Sequence, residues 1–111
     1  MAKLIYLATP YSHPEWEVKK ERFKAASRKA GEMMAKGMYV FCPIAHSHPI
    51  DTYSFAHPKE GFWWLDQDFA VLERCDELCV FMMDGWDSSY GVTEEIKFAK
   101  ENGIPITYLE A

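Results

Sequence analysis

The fold is decided by residues 78–99, whose sequence is LCVFMMDGWDSSYGVTEEIKFA. The stretch opens with six apolar residues, enough for a buried strand, and a Ser/Gly turn then leads into a segment with helical apolar spacing. Val92, Ile96 and Ala99 form the apolar stripe of that segment. A strand that runs through such a turn into a helix leaves backbone N–H groups at the sheet edge, where the helix dipole also favours an anion.

Two adjacent carboxylates lie in this predicted helix. At about 100° per residue, Glu95 lies at the border of the apolar stripe, about 70° from its centre, whereas Glu94 faces solvent. Glu95 is therefore a candidate for a working carboxylate held against the body of the protein. A glutamate in the first helical turns also complements the helix dipole without any catalytic role, so the pattern alone leaves both interpretations open.

Composition and charge limit the class of protein. The 111 residues predict one domain, residues 1–111, and the net charge of −5 argues against a nucleic-acid polymer as partner. No apolar run approaches the ~20 residues of a membrane span, and the first residues resemble a strand rather than a signal peptide. Cys42, Cys75 and Cys79 lack the spacing of a disulfide or zinc framework, so we expect reduced thiols in a cytoplasmic protein.

Strands and helices alternate along the chain. Apolar runs predict strands over residues 3–8, 38–42, 77–83 and 105–109, and helical spacing predicts helices after a Ser12/Glu15 capping box, over 61–74 and over 90–102. This order predicts a parallel sheet covered by helices on both faces. Ligands bind such sheets beyond the carboxyl ends of the strands, where residues 8–12, 43–60 and 84–89 lie.

The stretch from Ile44 to Glu60 has no helical or alternating period, so we predict a functional loop. It contains His46, His48 and His57. The pattern does not fix a third ligand and a geometry for a metal, so we expect the histidines to line a base pocket or a polar loop, with no metal and no cofactor.

Three motifs, in order, resemble those of the nucleoside 2-deoxyribosyltransferase superfamily. They are residues 6–10 (YLATP), residues 68–76 (DFAVLERCD) and residues 89–99 (SYGVTEEIKFA). The similarity is strongest to a small bacterial and phage branch and, at one position, to the 2′-deoxynucleoside 5′-phosphate N-hydrolases. It implies an α/β fold, a Rossmann-like (flavodoxin-like) three-layer sandwich with a small, mostly parallel central sheet.

The resemblance also implies cleavage or transfer at the N-glycosidic bond of a 2′-deoxynucleoside or its 5′-monophosphate through a covalent glutamyl-deoxyribosyl intermediate. It assigns Glu95 as nucleophile, Asp76 as the carboxyl that faces the departing base and Tyr6 as the hydroxyl that orients Glu95. Two simpler interpretations stay open: Asp76 makes local bonds at a strand start, and Tyr6 is a core aromatic. The candidate substrate-binding residues are Thr9, Pro10, Asp68, Ser89 and Gly91 of the three motifs, together with His46 and His48 of the predicted loop. Asp68 can also be interpreted as a solvated or interface residue.

Ser89 stands where the transferases that act on free nucleosides have an aspartate. A hydroxyl beside helix N–H groups suits a 5′-phosphate, although Asp87 opposes an anion there. The alternative function is a catalytically inactive nucleotide-binding or regulatory module of the same fold. Since Trp63 and Trp64 cannot both face the core, and since the superfamily is oligomeric, we expect a homodimer or higher homo-oligomer that binds a small nucleoside or nucleotide.

Overall fold

The computed structural model describes residues 2–51, 53 and 62–111; the side chains of Phe62 and Trp63 and the residue His57 lie outside the described part. The strands are β1 (Leu4–Ala8), β2 (Tyr39–Phe41), β3 (Glu77–Met82) and β4 (Ile106–Glu110). The helices are α1 (Trp16–Ala35), α2 (Pro43–Asp51), α3 (Phe62–Leu72) and α4 (Tyr90–Glu101). A short 3-10 turn, Trp86–Ser88, leads into α4.

The strands form an all-parallel sheet in the order β2-β1-β3-β4, which confirms the Rossmann-like, flavodoxin-like prediction. Buried residues of α1 (Ala26, Ala30 and Met33) pack with Ile5 and Leu7 of β1 on one face of the sheet. On the other face, Leu72 of α3 and Val92 and Ala99 of α4 pack with Tyr6 and Ala8. Because side chains alternate along a strand, β1 supplies both cores.

The central pair of strands marks the point where the chain changes face. After β1 the chain passes to α1, and after the neighbouring β3 it passes to α4 on the opposite face. The two segments therefore diverge at the carboxyl ends of β1 and β3 and leave a crevice between them. Thr9 follows β1 directly, at this position.

The capping-box prediction at Ser12 is wrong. Helix α1 begins at Trp16 with Glu15 in the cap position, and no side-chain cap hydrogen bond forms. The backbone carbonyl of Ser12 instead accepts a hydrogen bond of 2.9 Å from Arg22. At the other end of α1, Gly37 follows the cap residue Lys36 with a φ of 91°, in the region that favours glycine.

The predicted loop over residues 44–60 is also corrected, because Pro43–Asp51 form helix α2. Pro43 occupies the first helical position, where the missing N–H removes no hydrogen bond. Pro49 lies inside the helix, and α2 nevertheless keeps Pro43 and Ser47 buried. The apolar residues of α2 do not follow one face, so the helix left no periodic signal in the sequence. The rest of the predicted loop lies outside the described residues, apart from Tyr53.

In the part of the chain that the structure describes, none of the helices combines the length and the apolar character that crossing a bilayer requires.

Candidate active site

A cleft of about 370 Å³ lies at the carboxyl edge of the sheet, above β1 and β3. Segments that follow three strands form its walls: the turn after β1, helix α2 after β2, and the start of α4 after β3, joined by α3. The cleft is lined by Thr9, Tyr11, Ser12, Ile44, Ser47, Asp51, Trp64, Leu65, Asp68, Ser88, Ser89, Tyr90, Gly91 and Glu95. The cleft thus lies at the carboxyl edge, where the sequence predicts a ligand site.

Glu95 is the buried charged group of the cleft. Ser89 caps α4, its hydroxyl oxygen accepting from the Val92 N–H at 3.2 Å, and this fixes the first turn of the helix. Glu95 then falls beside the buried Val92 and is itself only 4% exposed, whereas Glu94 is partly exposed. The helical-wheel argument that separated the two glutamates agrees with these positions.

The Tyr6 hydroxyl donates a hydrogen bond to Oε2 of Glu95. Tyr6 is fully buried in β1, so both interpretations of this residue hold at once: its ring belongs to the core and its hydroxyl holds the carboxyl. Burial, followed by the charge of Glu95, raises the pKa of Tyr6 well above its ordinary value. Tyr6 therefore keeps its proton at neutral pH and donates it to the Glu95 carboxyl.

Burial raises the pKa of the Glu95 carboxyl to about 8. The hydrogen bond from Tyr6 acts in the opposite direction, because it stabilises the charged form, and the nearby Asp68 carboxyl raises the pKa further. Asp68 itself, on the cleft side of α3, has its pKa raised by burial to about 7. Two carboxyls that titrate close to neutrality thus face one cleft, an arrangement typical of acid–base and nucleophilic chemistry.

The structure does not bring Asp76 to this cleft. Asp76 immediately precedes β3, at the amino edge of the sheet, and its carboxylate accepts a 2.8 Å hydrogen bond from the Leu4 N–H. This is the strand-start interpretation that the sequence left open, and it corrects the placement of Asp76 beside the departing base. The cleft carboxyl that accompanies Glu95 with a raised pKa is Asp68.

The residues expected to bind substrate are divided between the cleft and its surroundings. Thr9, Asp68, Ser89 and Gly91 line the cleft, whereas Pro10 is buried behind it. His46 lies outside the cleft wall, with its ring 5.5 Å from the ring of Phe41.

His48 packs behind the cleft. Its ring stacks on Phe23 at 4.1 Å and on Trp16 at 5.3 Å, and its Nδ1 lies 2.6 Å from the Tyr11 hydroxyl. His48 therefore positions the cleft residue Tyr11 instead of lining the cleft itself.

The cleft also contains Ser47, Asp51 and Trp64, which were not among the site residues predicted from the sequence. The indole N–H of Trp64 donates to Asp51 at 3.3 Å, which joins α3 to α2 across the cleft. Ser47, 8% exposed, lies between the two histidines that had suggested a metal site. A helical assignment for residues 43–51 would have separated Ser47 from its histidine neighbours, since consecutive helical residues point in different directions.

A larger cavity of about 500 Å³ lies at the opposite, amino edge of the sheet. Its buried carboxylate, Glu77, has Lys3 and Thr107 as hydrogen-bonding partners, and Lys3 is the main cause of its lowered pKa. The charge of Glu77 is thus neutralised within the protein, unlike the Glu95–Asp68 pair. The carboxyl groups with raised pKa values therefore lie at the carboxyl edge.

Comparisons with known proteins support the assignment of the fold. The model of a family described as a domain of unknown function, DUF1937, matches residues 3–111. The chain belongs to the DUF1937 family. No curated protein matches this chain.

A solved structure of a 2-deoxyribosyltransferase from the psychrotolerant bacterium Bacillus psychrosaccharolyticus is similar in fold, with a TM-score of 0.64 and 19% sequence identity. The similarity covers 96% of the DUF1937 chain and 72% of the transferase chain. That enzyme is described as a biocatalyst for the synthesis of antiviral and antitumoral nucleosides. The two proteins share an architecture over nearly the whole of the shorter chain.

The raised pKa of Glu95 predicts a specific dependence of stability on pH. A carboxyl whose pKa is raised from 4.5 to about 8 on folding favours the folded state below pH 4.5, and this contribution is lost as pH rises to 8. Glu95→Gln removes the titration and keeps an acceptor for Tyr6. The free energy of unfolding of the variant, relative to that of the wild type, should therefore increase by on the order of 3–4 kcal/mol between pH 5 and pH 9.

Urea denaturation of both proteins at the two pH values measures this difference. Glu94→Gln is the matched control, and we expect its free energy of unfolding to stay within ~0.5 kcal/mol of the wild type. A constant difference between Glu95→Gln and the wild type across this pH range would contradict the burial argument.

Proposed function

We propose that this protein cleaves or transfers the N-glycosidic bond of a small 2′-deoxynucleoside or 2′-deoxynucleotide, with Glu95 as nucleophile. The observation that carries the proposal is the buried Glu95 carboxyl at the base of an open cleft, hydrogen-bonded by Tyr6 and accompanied by Asp68. The three sequence motifs and the fold shared with a deoxyribosyltransferase support the same substrate class.

In the proposed first step, an ionised oxygen of Glu95 attacks C1′ of the deoxyribose as the bond from C1′ to the base nitrogen breaks. The electron pair of that bond leaves with the base, which takes a proton from Asp68. The reactive form has Glu95 ionised and Asp68 protonated. It is a minority of the molecules near neutral pH, because the pKa of Glu95 is about 8 and that of Asp68 is about 7. The Tyr6 hydroxyl keeps the attacking carboxylate in position.

In the second step, water or a second base attacks C1′ and releases Glu95 as a carboxylate. Asp68 accepts the proton that the incoming group loses, which restores the starting state. Water gives hydrolysis, and a second base gives transfer. The same two carboxyls serve both outcomes.

Release of free base is the direct test of the nucleophile. We expect Glu95→Gln to abolish base release from a panel of deoxynucleosides and deoxynucleotides analysed by chromatography, while Glu94→Gln retains activity within about twofold. Equal losses in the two variants would exclude Glu95 as the nucleophile. Binding without turnover in the wild type would favour the alternative of an inactive nucleotide-binding module.

The pair of carboxyls predicts the pH dependence of activity. One group must be ionised and the other protonated, so kcat/KM should follow a bell-shaped profile with its maximum between pH 7 and 8, where the pair titrates. Asp68→Asn should lower kcat by about 10²-fold or more and remove the alkaline limb.

Asp76→Asn is the control for Asp68→Asn, because Asp76 lies at the other edge of the sheet. We expect it to leave the shape of the profile unchanged. An alkaline limb that disappears in Asp76→Asn and persists in Asp68→Asn would reverse our assignment of the acid.

The start of α4 supports a preference for a 5′-phosphate. Ser88, Ser89 and Gly91 line the cleft there, at the positive end of a helix of 12 residues, and Asp87 is exposed to solvent in the preceding turn. The Ser89 hydroxyl oxygen accepts from Val92, and its O–H proton remains available as a donor in this arrangement.

We therefore expect a deoxynucleoside 5′-monophosphate to bind roughly ten- to hundredfold more tightly than its nucleoside, the range given by contacts worth 1–3 kcal/mol. Calorimetric titration of one matched pair measures this ratio. Ser89→Asp should narrow or reverse it, because the carboxylate repels the phosphate while it still caps the helix. Equal or tighter binding of the nucleoside by the wild type would show that the monophosphate is not preferred.

A further inference from the structure

Thr9 has a buried hydroxyl without a hydrogen-bonding partner among the described residues. The residue is 5% exposed and lines the cleft that contains Glu95 and Asp68. A buried hydroxyl that forms no hydrogen bond destabilises a folded protein, so such groups are rare and call for a physical explanation.

The position of Thr9 in the fold supplies a physical explanation for its buried hydroxyl. It is the first residue after β1, and Tyr6 of the same strand holds Glu95. The β1 and β3 strands are neighbours, and their chains leave toward opposite faces of the sheet, so Thr9 lies where ligands of parallel sheets bind. The hydroxyl is thus both unpartnered and part of the cleft wall, between the α2 side and the α4 side.

We propose that the Thr9 hydroxyl is a specificity-determining contact that forms its hydrogen bond with the bound ligand instead of with the protein. The inference rests on the proposed function for the class of ligand, a deoxynucleoside or deoxynucleotide. The group that it contacts is a polar atom of the sugar phosphate or of the base. The ligand completes a hydrogen bond that none of the described residues makes, and a ligand without a polar atom at that place is disfavoured.

Thr9→Val tests the proposal in two independent ways, because it replaces the hydroxyl with a methyl group of similar shape. Without ligand, the variant should be more stable than the wild type, with a Tm higher by about 2–5 °C, because the buried unpartnered group is gone. Thr107→Val is the matched control. The Thr107 hydroxyl donates to Glu77, away from the cleft, so the same substitution there should lower the Tm.

With ligand, the two products of hydrolysis locate the contact, because the wild-type enzyme does not consume them. Calorimetric titrations with 2-deoxyribose 5-phosphate and with the free base should show roughly five- to tenfold weaker binding of one of them to Thr9→Val. The other product should bind as it does to the wild type, and Thr107→Val should bind both unchanged.

A lower Tm for Thr9→Val would overturn the proposal, since it would mean that the hydroxyl is bonded within the protein. Unchanged binding of both products would overturn it as well, even if base release by the wild type is observed. If the wild type binds neither product and cleaves no substrate of the panel, the proposed function fails. In that case the Tm comparison still decides whether the Thr9 hydroxyl is unpartnered.

Discussion

The hydrogen bond between the Tyr6 hydroxyl and the Glu95 carboxyl is the interaction on which the candidate site depends. It joins the central strand β1 to helix α4, and it supplies the buried carboxyl with a donor that water would otherwise provide. The site lowers the stability of the folded protein, because burial disfavours the charged form of Glu95 and raises its pKa to about 8. A buried carboxyl of this kind lowers the stability of the folded protein, as the polar groups of functional sites commonly do.

The parallel sheet explains why so short a chain can gather the remaining groups. Every strand ends at the same edge, so the residue after β1, the helix after β2 and the cap after β3 meet around one cleft without long loops. Helix α3 brings Asp68 to it from the side, anchored by the fully buried Leu72 one turn later. Thr9 and Glu95 are both buried polar groups of this cleft: Tyr6 hydrogen-bonds the Glu95 carboxyl, whereas the Thr9 hydroxyl has no partner among the described residues.

The sequence predicted those parts of the fold that depend on local periodicity. Apolar strands and the stripe of Val92, Ile96 and Ala99 identified the sheet and α4, and the same stripe distinguished Glu95 from Glu94. Helix α2 was missed because its stability comes from packing against its neighbours, while its two prolines suggested a loop. Asp76 was misplaced because its role was taken from the motif and not from the topology. A residue that precedes β3 lies at the amino edge of a parallel sheet, opposite the edge where ligands bind.

Trapping the covalent intermediate tests the central claim most directly. The wild-type protein, mixed with a deoxynucleoside 5′-monophosphate and quenched in acid during turnover, should show by intact-protein mass spectrometry the added mass of one deoxyribosyl phosphate group. Peptide mapping should place that group on Glu95, and the Glu95→Gln variant should show none. An adduct on another residue, or base release by the wild type with no adduct at any quench time, would contradict the account.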